Sequence, residues 1–73
     1  MINNYTYREL YEMYLSRQFA EIEQIIWDSK VPELKQFAKE NDLVWYQGSK
    51  ESFLQALRYA LIQTKIIVGD TFK

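Results

Sequence analysis

The sequence predicts a mainly α-helical protein, and three observations support this fold class. Apolar residues recur at helical spacing along most of the chain, and signals typical of helix starts precede three of these stretches. Only 2 of the 73 residues are glycine and 1 is proline. The share of hydrophobic residues, 48%, is typical of a globular chain, and the length predicts one small domain over residues 1–73.

The first helical stretch begins at a capping box formed by Thr6 and Glu9. The apolar stripe after it continues to about Asp28 and predicts one long N-terminal helix of about 33 Å. The alternative is a helical hairpin with a break at residues 16–18. The stripe consists of Tyr7, Tyr11, Tyr14, Leu15, Ile22, Ile25 and Ile26.

The second helix is expected to begin at Pro32, because a proline at the first helical position gives up an N–H that has no partner there. Its inward side chains are Leu34, Phe37 and Ala38. Asn41 and Asp42 are expected to end it, since asparagine tolerates the left-handed conformation of a helix cap.

A third helix is predicted to open at Ser49, with Ser49 or Ser52 as its cap. The β-prone residues 43–46 precede it and are expected to be extended. Residues 66–68 either lengthen this helix or form a minor two-stranded ribbon with residues 43–46. The predicted architecture is therefore a long helix, or a helical hairpin, packed on a helix–extension–helix unit.

The composition excludes several classes of chemistry. The sequence contains neither histidine nor cysteine, so it offers no imidazole base, no thiol nucleophile, no disulfide and none of the usual zinc or haem ligands. Two glycines cannot form a phosphate-binding or dinucleotide-binding loop. We therefore expect no catalytic residues, no metal and no cofactor, and a protein that is not an enzyme.

The sequence also indicates where the protein resides. Its first residues carry neither the basic region nor the apolar run of a signal peptide, and a membrane-spanning helix would need about 20 apolar residues. The absence of cysteine fits a reducing compartment. A cytoplasmic location without membrane contact is expected.

Aromatic residues are the strongest indication of a binding role. They make up 16% of the chain, and tyrosine and tryptophan are enriched at protein interfaces, although a small core also uses large side chains to fill itself. The residues expected to contact a protein partner are Tyr7, Tyr11, Met13, Trp27, Trp45 and Tyr46.

A thinner signal lies on the first helix. Met13, Ala20 and Trp27 recur every seven residues, away from the main apolar stripe. On a continuous helix, this line would face solvent or a partner and would favour a homodimer.

Residues 31–61 resemble the helix–extension–helix modules of the SAP family, of Rho N-terminal domains and of phage proteins. These families share a leucine in a short helix, a leucine that closes it, a glycine, and a lysine that opens the next helix. The link between the two helices is longer and more aromatic here than in a typical SAP module. The matching residues are Leu34, Leu43, Gly48, Lys50, Leu54 and Leu57.

The resemblance implies binding of DNA or RNA. Lys50 would contact phosphate, Lys35, Lys39 and Arg58 would assist, and Trp45 could stack on a base. Acidic residues are interleaved with these cations and the net charge of the chain is −1, whereas phosphate binding needs clustered cations.

The sequence thus predicts a small non-enzymatic binding protein, a regulator or inhibitor that docks on a protein partner. In size and class it is similar to phage and mobile-element proteins that block host machinery. A minimal nucleic-acid-binding module is the alternative.

Overall fold

The computed structural model describes the backbone of residues 1–45 and 48–71 and the side chains of residues 1–45 and 48–67. Helices dominate this part of the chain, so the predicted mainly α class is confirmed. A short 3₁₀ turn, Ile2–Asn4, precedes α1 (Tyr7–Leu15), α2 (Phe19–Asp28), α3 (Val31–Glu40) and α4 (Lys50–Thr71).

The predicted long N-terminal helix is wrong, because the chain breaks between α1 and α2 at the place kept open as the alternative. Arg17 adopts a left-handed conformation with φ of 61°. Its N–H donates to the Tyr14 carbonyl at 3.1 Å, and the Gln18 N–H donates to the Met13 carbonyl at 2.9 Å. These two bonds form a Schellman motif, which satisfies the last carbonyls of α1 and turns the chain.

The starts of the first two predicted helices are close to the expected residues. Thr6 and Glu9 form the complete capping box, with the Glu9 N–H donating to Thr6 Oγ1 at 3.1 Å and the Thr6 N–H donating to Glu9 Oε1 at 3.0 Å. Helix α3 begins one residue before Pro32. Its left-handed end residue is Asp42, with φ of 55°, and not Asn41 as predicted.

Helix α4 is capped as expected, since Ser49 Oγ accepts the Ser52 N–H at 3.2 Å. It then continues through residues 66–68, so the ribbon with residues 43–46 is wrong, and residues 43–45 form no strand. Continuing the helix pairs each backbone N–H with a carbonyl four residues earlier. A two-stranded ribbon would instead leave the backbone N–H and C=O groups on its outer edges without protein partners.

The core lies where α2, α3 and α4 meet the N-terminal turn. Ser29 is buried there: its Oγ accepts the Ile2 N–H and donates to the Ile25 carbonyl, both at 2.7 Å. Leu15, predicted to belong to the apolar stripe of the first helix, is exposed because α1 ends at this residue. The buried apolar residues are Ile2, Leu10, Ile22, Ile25, Ile26, Leu34, Phe37, Ala38, Phe53, Leu57 and Leu61.

Candidate docking surfaces

The residues predicted to contact a partner occupy different environments. Tyr7, Tyr11 and Met13 are partly buried and pack against the core. The Tyr7 hydroxyl also donates to Thr64 Oγ1 at 2.8 Å, since that oxygen gives its own proton to the Ala60 carbonyl. Tyr7, Tyr11 and Met13 thus contribute to the packing of α1 on the rest of the molecule. Tyr46 lies outside the described residues.

Trp45, in the segment between α3 and α4, packs against the start of α4. Its indole N–H donates to Ser52 Oγ at 2.7 Å, and its ring meets the edge of Phe53 with centroids 5.1 Å apart. Ser52 Oγ in turn donates to the Ser49 carbonyl at 2.8 Å. Trp45 therefore closes the core over the start of α4 and leaves only part of its surface for other contacts.

Trp27 differs from the other predicted contact residues, because 47% of its surface is exposed. It lies eight residues after Phe19, also exposed, so both fall on one side of α2 with the exposed Ala20 beside them. We call Phe19, Ala20 and Trp27 the α2 row. Because of the break at residues 16–18, Met13 lies on α1, and the predicted Met13–Ala20–Trp27 line does not run along one helix.

Two contacts hold α2 against α4 beside this row. Lys50 Nζ donates to the Trp27 carbonyl at 2.9 Å, where the unpaired carbonyls at the end of α2 favour a cation. Arg58 lies 3.7 Å from Glu23 in a partly exposed ion pair. The α2 row is thus presented on a helix fixed at its end and middle.

The same two contacts bear on the predicted nucleic-acid residues. Lys50 and Arg58 both have partners within the chain, while Lys35 and Lys39 are exposed one turn apart on α3. Trp45 lies in the α3–α4 connection, where its indole N–H bonds Ser52 on α4.

Sequence reasoning missed an apolar stripe on α4. Tyr59, Ile62 and Ile66 are exposed on the side of the helix opposite Phe53, Leu57 and Leu61. We call these three residues the outer stripe; Ile67 is also exposed but lies nearer the buried side. Its signal in the sequence is the spacing of Tyr59, Ile62 and Ile66 by three and then four residues, which overlaps with the spacing of the core face.

A groove of about 560 Å³ adjoins the outer stripe, between α4 and the α3–α4 connection. Its lining is mostly apolar, and Val44 and Tyr59 at its rim are both about two-thirds exposed. Apolar concavities of this kind bind side chains of other molecules. The lining includes Leu43, Val44, Trp45, Ala56, Tyr59 and Ala60.

A second hollow, of about 430 Å³, lies between the N-terminal turn and α3 and is more polar. Glu40 is the carboxylate in its lining, beside Tyr5, Tyr7 and Asn41. Across the described residues, no three acidic side chains come together in a way that could hold a metal ion. No helix in that part of the chain is long and apolar enough to cross a membrane.

Comparison of the chain with protein-family models, with curated proteins and with solved structures finds no match. The resemblance to SAP-type modules therefore stays a prediction. What can be argued about function comes from the surfaces described above.

Proposed function

We propose that the protein is a small non-enzymatic regulator or inhibitor that docks on a protein partner through the α2 row. The observation that carries this proposal is the environment of Trp27, a tryptophan with 47% of its surface exposed on a well-anchored helix. About half of the indole is left to water, and tryptophan is among the residue types most enriched at energetic hot spots of interfaces.

The binding energy available at Trp27 is substantial. Covering roughly 100 Å² of indole surface at about 25 cal/mol per Å² contributes about 2.5 kcal/mol. Phe19 adds a second exposed ring on the same side of α2. Together they provide an anchor of the size that dominates typical protein interfaces.

Anchoring of α2 supports the same role. The Lys50–Trp27 hydrogen bond and the Arg58–Glu23 ion pair fix α2 on α4 before a partner arrives. A surface already held in its bound arrangement loses less conformational entropy on binding. Docking onto a preformed helix face is the mechanism that we propose, with the partner's function blocked or redirected by occlusion.

The cytoplasmic location and the similarity to phage and mobile-element regulators belong to this proposal. Both are supported by sequence features alone, namely the absence of cysteine, the small size and the lack of catalytic residue types. They indicate that the partner is a cytoplasmic protein whose working surface a small helical protein can cover.

Capture of partners from a nuclease-treated lysate tests the proposal. The immobilised chain should retain a protein that is bound 10- to 100-fold more weakly by Trp27→Ala, the loss expected for about 2.5 kcal/mol of indole burial. Tyr59→Ala is the control, because it removes an even more exposed aromatic ring outside the α2 row and should retain the partner. Equal retention by wild type and Trp27→Ala, with both folded, would contradict the proposal.

The nucleic-acid alternative rests on the resemblance to SAP-type modules, with Lys35 and Lys39 as the exposed cations. Fluorescence anisotropy with labelled single- and double-stranded oligonucleotides at low and physiological salt distinguishes it. Phosphate-driven binding weakens steeply with salt, whereas apolar docking does not. Micromolar, salt-sensitive binding weakened by Lys50→Glu would favour the alternative over docking on a protein.

A further inference from the structure

Helix α4 has two apolar sides, and the fold covers only one of them. Phe53, Leu57 and Leu61 are buried, whereas Tyr59 and Ile66 in the outer stripe keep 67% and 53% of their surface exposed. Ile62 is exposed between them. An apolar stripe of this length on a helix is typical of a surface that pairs with another helix.

The charges beside the outer stripe match those of a second, antiparallel copy of α4. Glu51, Arg58 and Lys65 are seven residues apart and therefore lie on one line along α4. An antiparallel pair centred on Arg58 sets Glu51 of each copy opposite Lys65 of the other, and a parallel pair sets like charges together. Arg58, near the twofold axis, is already paired with Glu23 at 3.7 Å, which reduces the repulsion between the two guanidinium groups.

The size of this surface sets the strength of the pairing. The 22 residues of α4 span about 33 Å, and one helix face of that length gives an interface at the lower end of the specific range, roughly 1,200 Å² in total. Each copy would cover a small part of its 5280 Å² of accessible surface. An interface of this size is typical of weak, transient pairing.

We propose that the outer stripe of α4 joins two copies of the chain in an antiparallel, twofold-symmetric dimer, in which Glu51 of each copy faces Lys65 of the other. Trp27 is not part of the outer stripe, but it follows Glu23, the ion-pair partner of Arg58, by one helical turn. Variants of both surfaces are therefore needed to separate this proposal from docking through the α2 row.

Sedimentation equilibrium of the full chain, from about 1 µM to about 500 µM, tests the dimer over the range expected for a small interface. The wild type should pass from monomer to dimer, and Ile66→Ser should weaken the dimer at least tenfold. Trp27→Ala should dimerise as the wild type does. A monomer at every concentration, or a dimer unaffected by Ile66→Ser, would overturn the proposal and assign the stripe to another occupant.

Charge exchange tests the register. Glu51→Lys and Lys65→Glu should each weaken the dimer about three- to tenfold, and the double variant should regain most of the wild-type affinity because each new charge again faces its opposite. Lys35→Glu on α3 is the control for a change of net charge and should leave dimerisation unchanged. Circular dichroism checks that every variant remains helical. If the double variant loses as much dimer affinity as the two single variants lose together, the antiparallel register is wrong.

Discussion

The two halves of α4 differ in what surrounds them. The first half, residues 50–61, packs on the core through Phe53, Leu57 and Leu61, and Trp45 covers its start. In the second half, the last contact with α1 that we identify is the hydrogen bond between Thr64 and Tyr7, and Ile66 and Ile67 are exposed. The helix thus continues beyond the body of the fold with apolar side chains on its surface.

This difference separates stability from binding within one helix. The first half carries the apolar contacts that hold the domain together, since burial is the main favourable term in folding. Ile66 and Ile67 in the second half lack that benefit, because they are exposed. We infer that these residues serve contacts with another molecule, and the following variants measure how sharply the two halves are divided.

The largest expected effect comes from truncating one residue in each half. Leu57→Ala should lower the free energy of unfolding by about 3 kcal/mol, because it leaves a cavity beside fully buried neighbours. Ile66→Ala should lower it by less than about 0.5 kcal/mol, because the isoleucine is already exposed. Urea denaturation, with the protein at micromolar concentration or below, gives both values. Similar losses for the two variants would contradict the division of α4 into a stabilising half and a binding half.

A smaller loss is expected where the N-terminal turn meets the end of α2. Ser29→Ala removes the acceptor of the buried Ile2 N–H and should cost about 2 kcal/mol, since that donor is then left without a partner. Ser16→Ala, at an exposed helix end, should change stability by less than about 0.5 kcal/mol. Thermal melts of the two variants provide the comparison, and an equal, small effect would contradict the role assigned to Ser29.

The smallest effect is expected at the boundary between the halves. Tyr7→Phe removes the hydroxyl that donates to Thr64 and should cost about 1 kcal/mol or less. Amide hydrogen exchange should become faster mainly in the second half of α4, which loses its link to α1. Tyr59→Phe, which changes an exposed tyrosine on the same helix, serves as the control and should leave exchange as it is.

Much of the fold could be predicted because the side chains that cap the start of a helix are close together in the sequence. The Thr6–Glu9 capping box and the serine cap at Ser49 depend on residues three positions apart, which a sequence displays directly. The inward residues of α3 were likewise given by their spacing, and Leu34, Phe37 and Ala38 are all buried.

Helix ends were harder to predict because their signals were atypical. The left-handed residues at the ends of α1 and α3 are Arg17 and Asp42, where glycine is the usual residue. Ile22, Ile25 and Ile26 on α2 also stay in phase with the tyrosines of α1, so the apolar stripe crosses the break without interruption. The hydrogen bonds of residues 16–18, and not the hydrophobic pattern, decide where α1 stops.

The candidate surfaces could be predicted only in part, since exposure depends on distant parts of the chain. Trp27 is exposed as a docking residue requires, whereas Tyr7, Tyr11 and Trp45 are partly buried by contacts with α4 and the core that their local sequence does not display. The outer stripe was missed because β-branched residues at its end favoured a strand. Their helical conformation follows from continuation of α4, which costs less than starting a new element.

Photocrosslinking from the α2 row tests the central claim, docking on a protein, most directly. A photoreactive phenylalanine analogue would replace Trp27 in one sample and Lys39, exposed on α3, in a matched control. Under illumination in cells, the account predicts a discrete protein adduct from position 27 and none from position 39. Equal adducts from both positions, or adducts to nucleic acid alone, would contradict it.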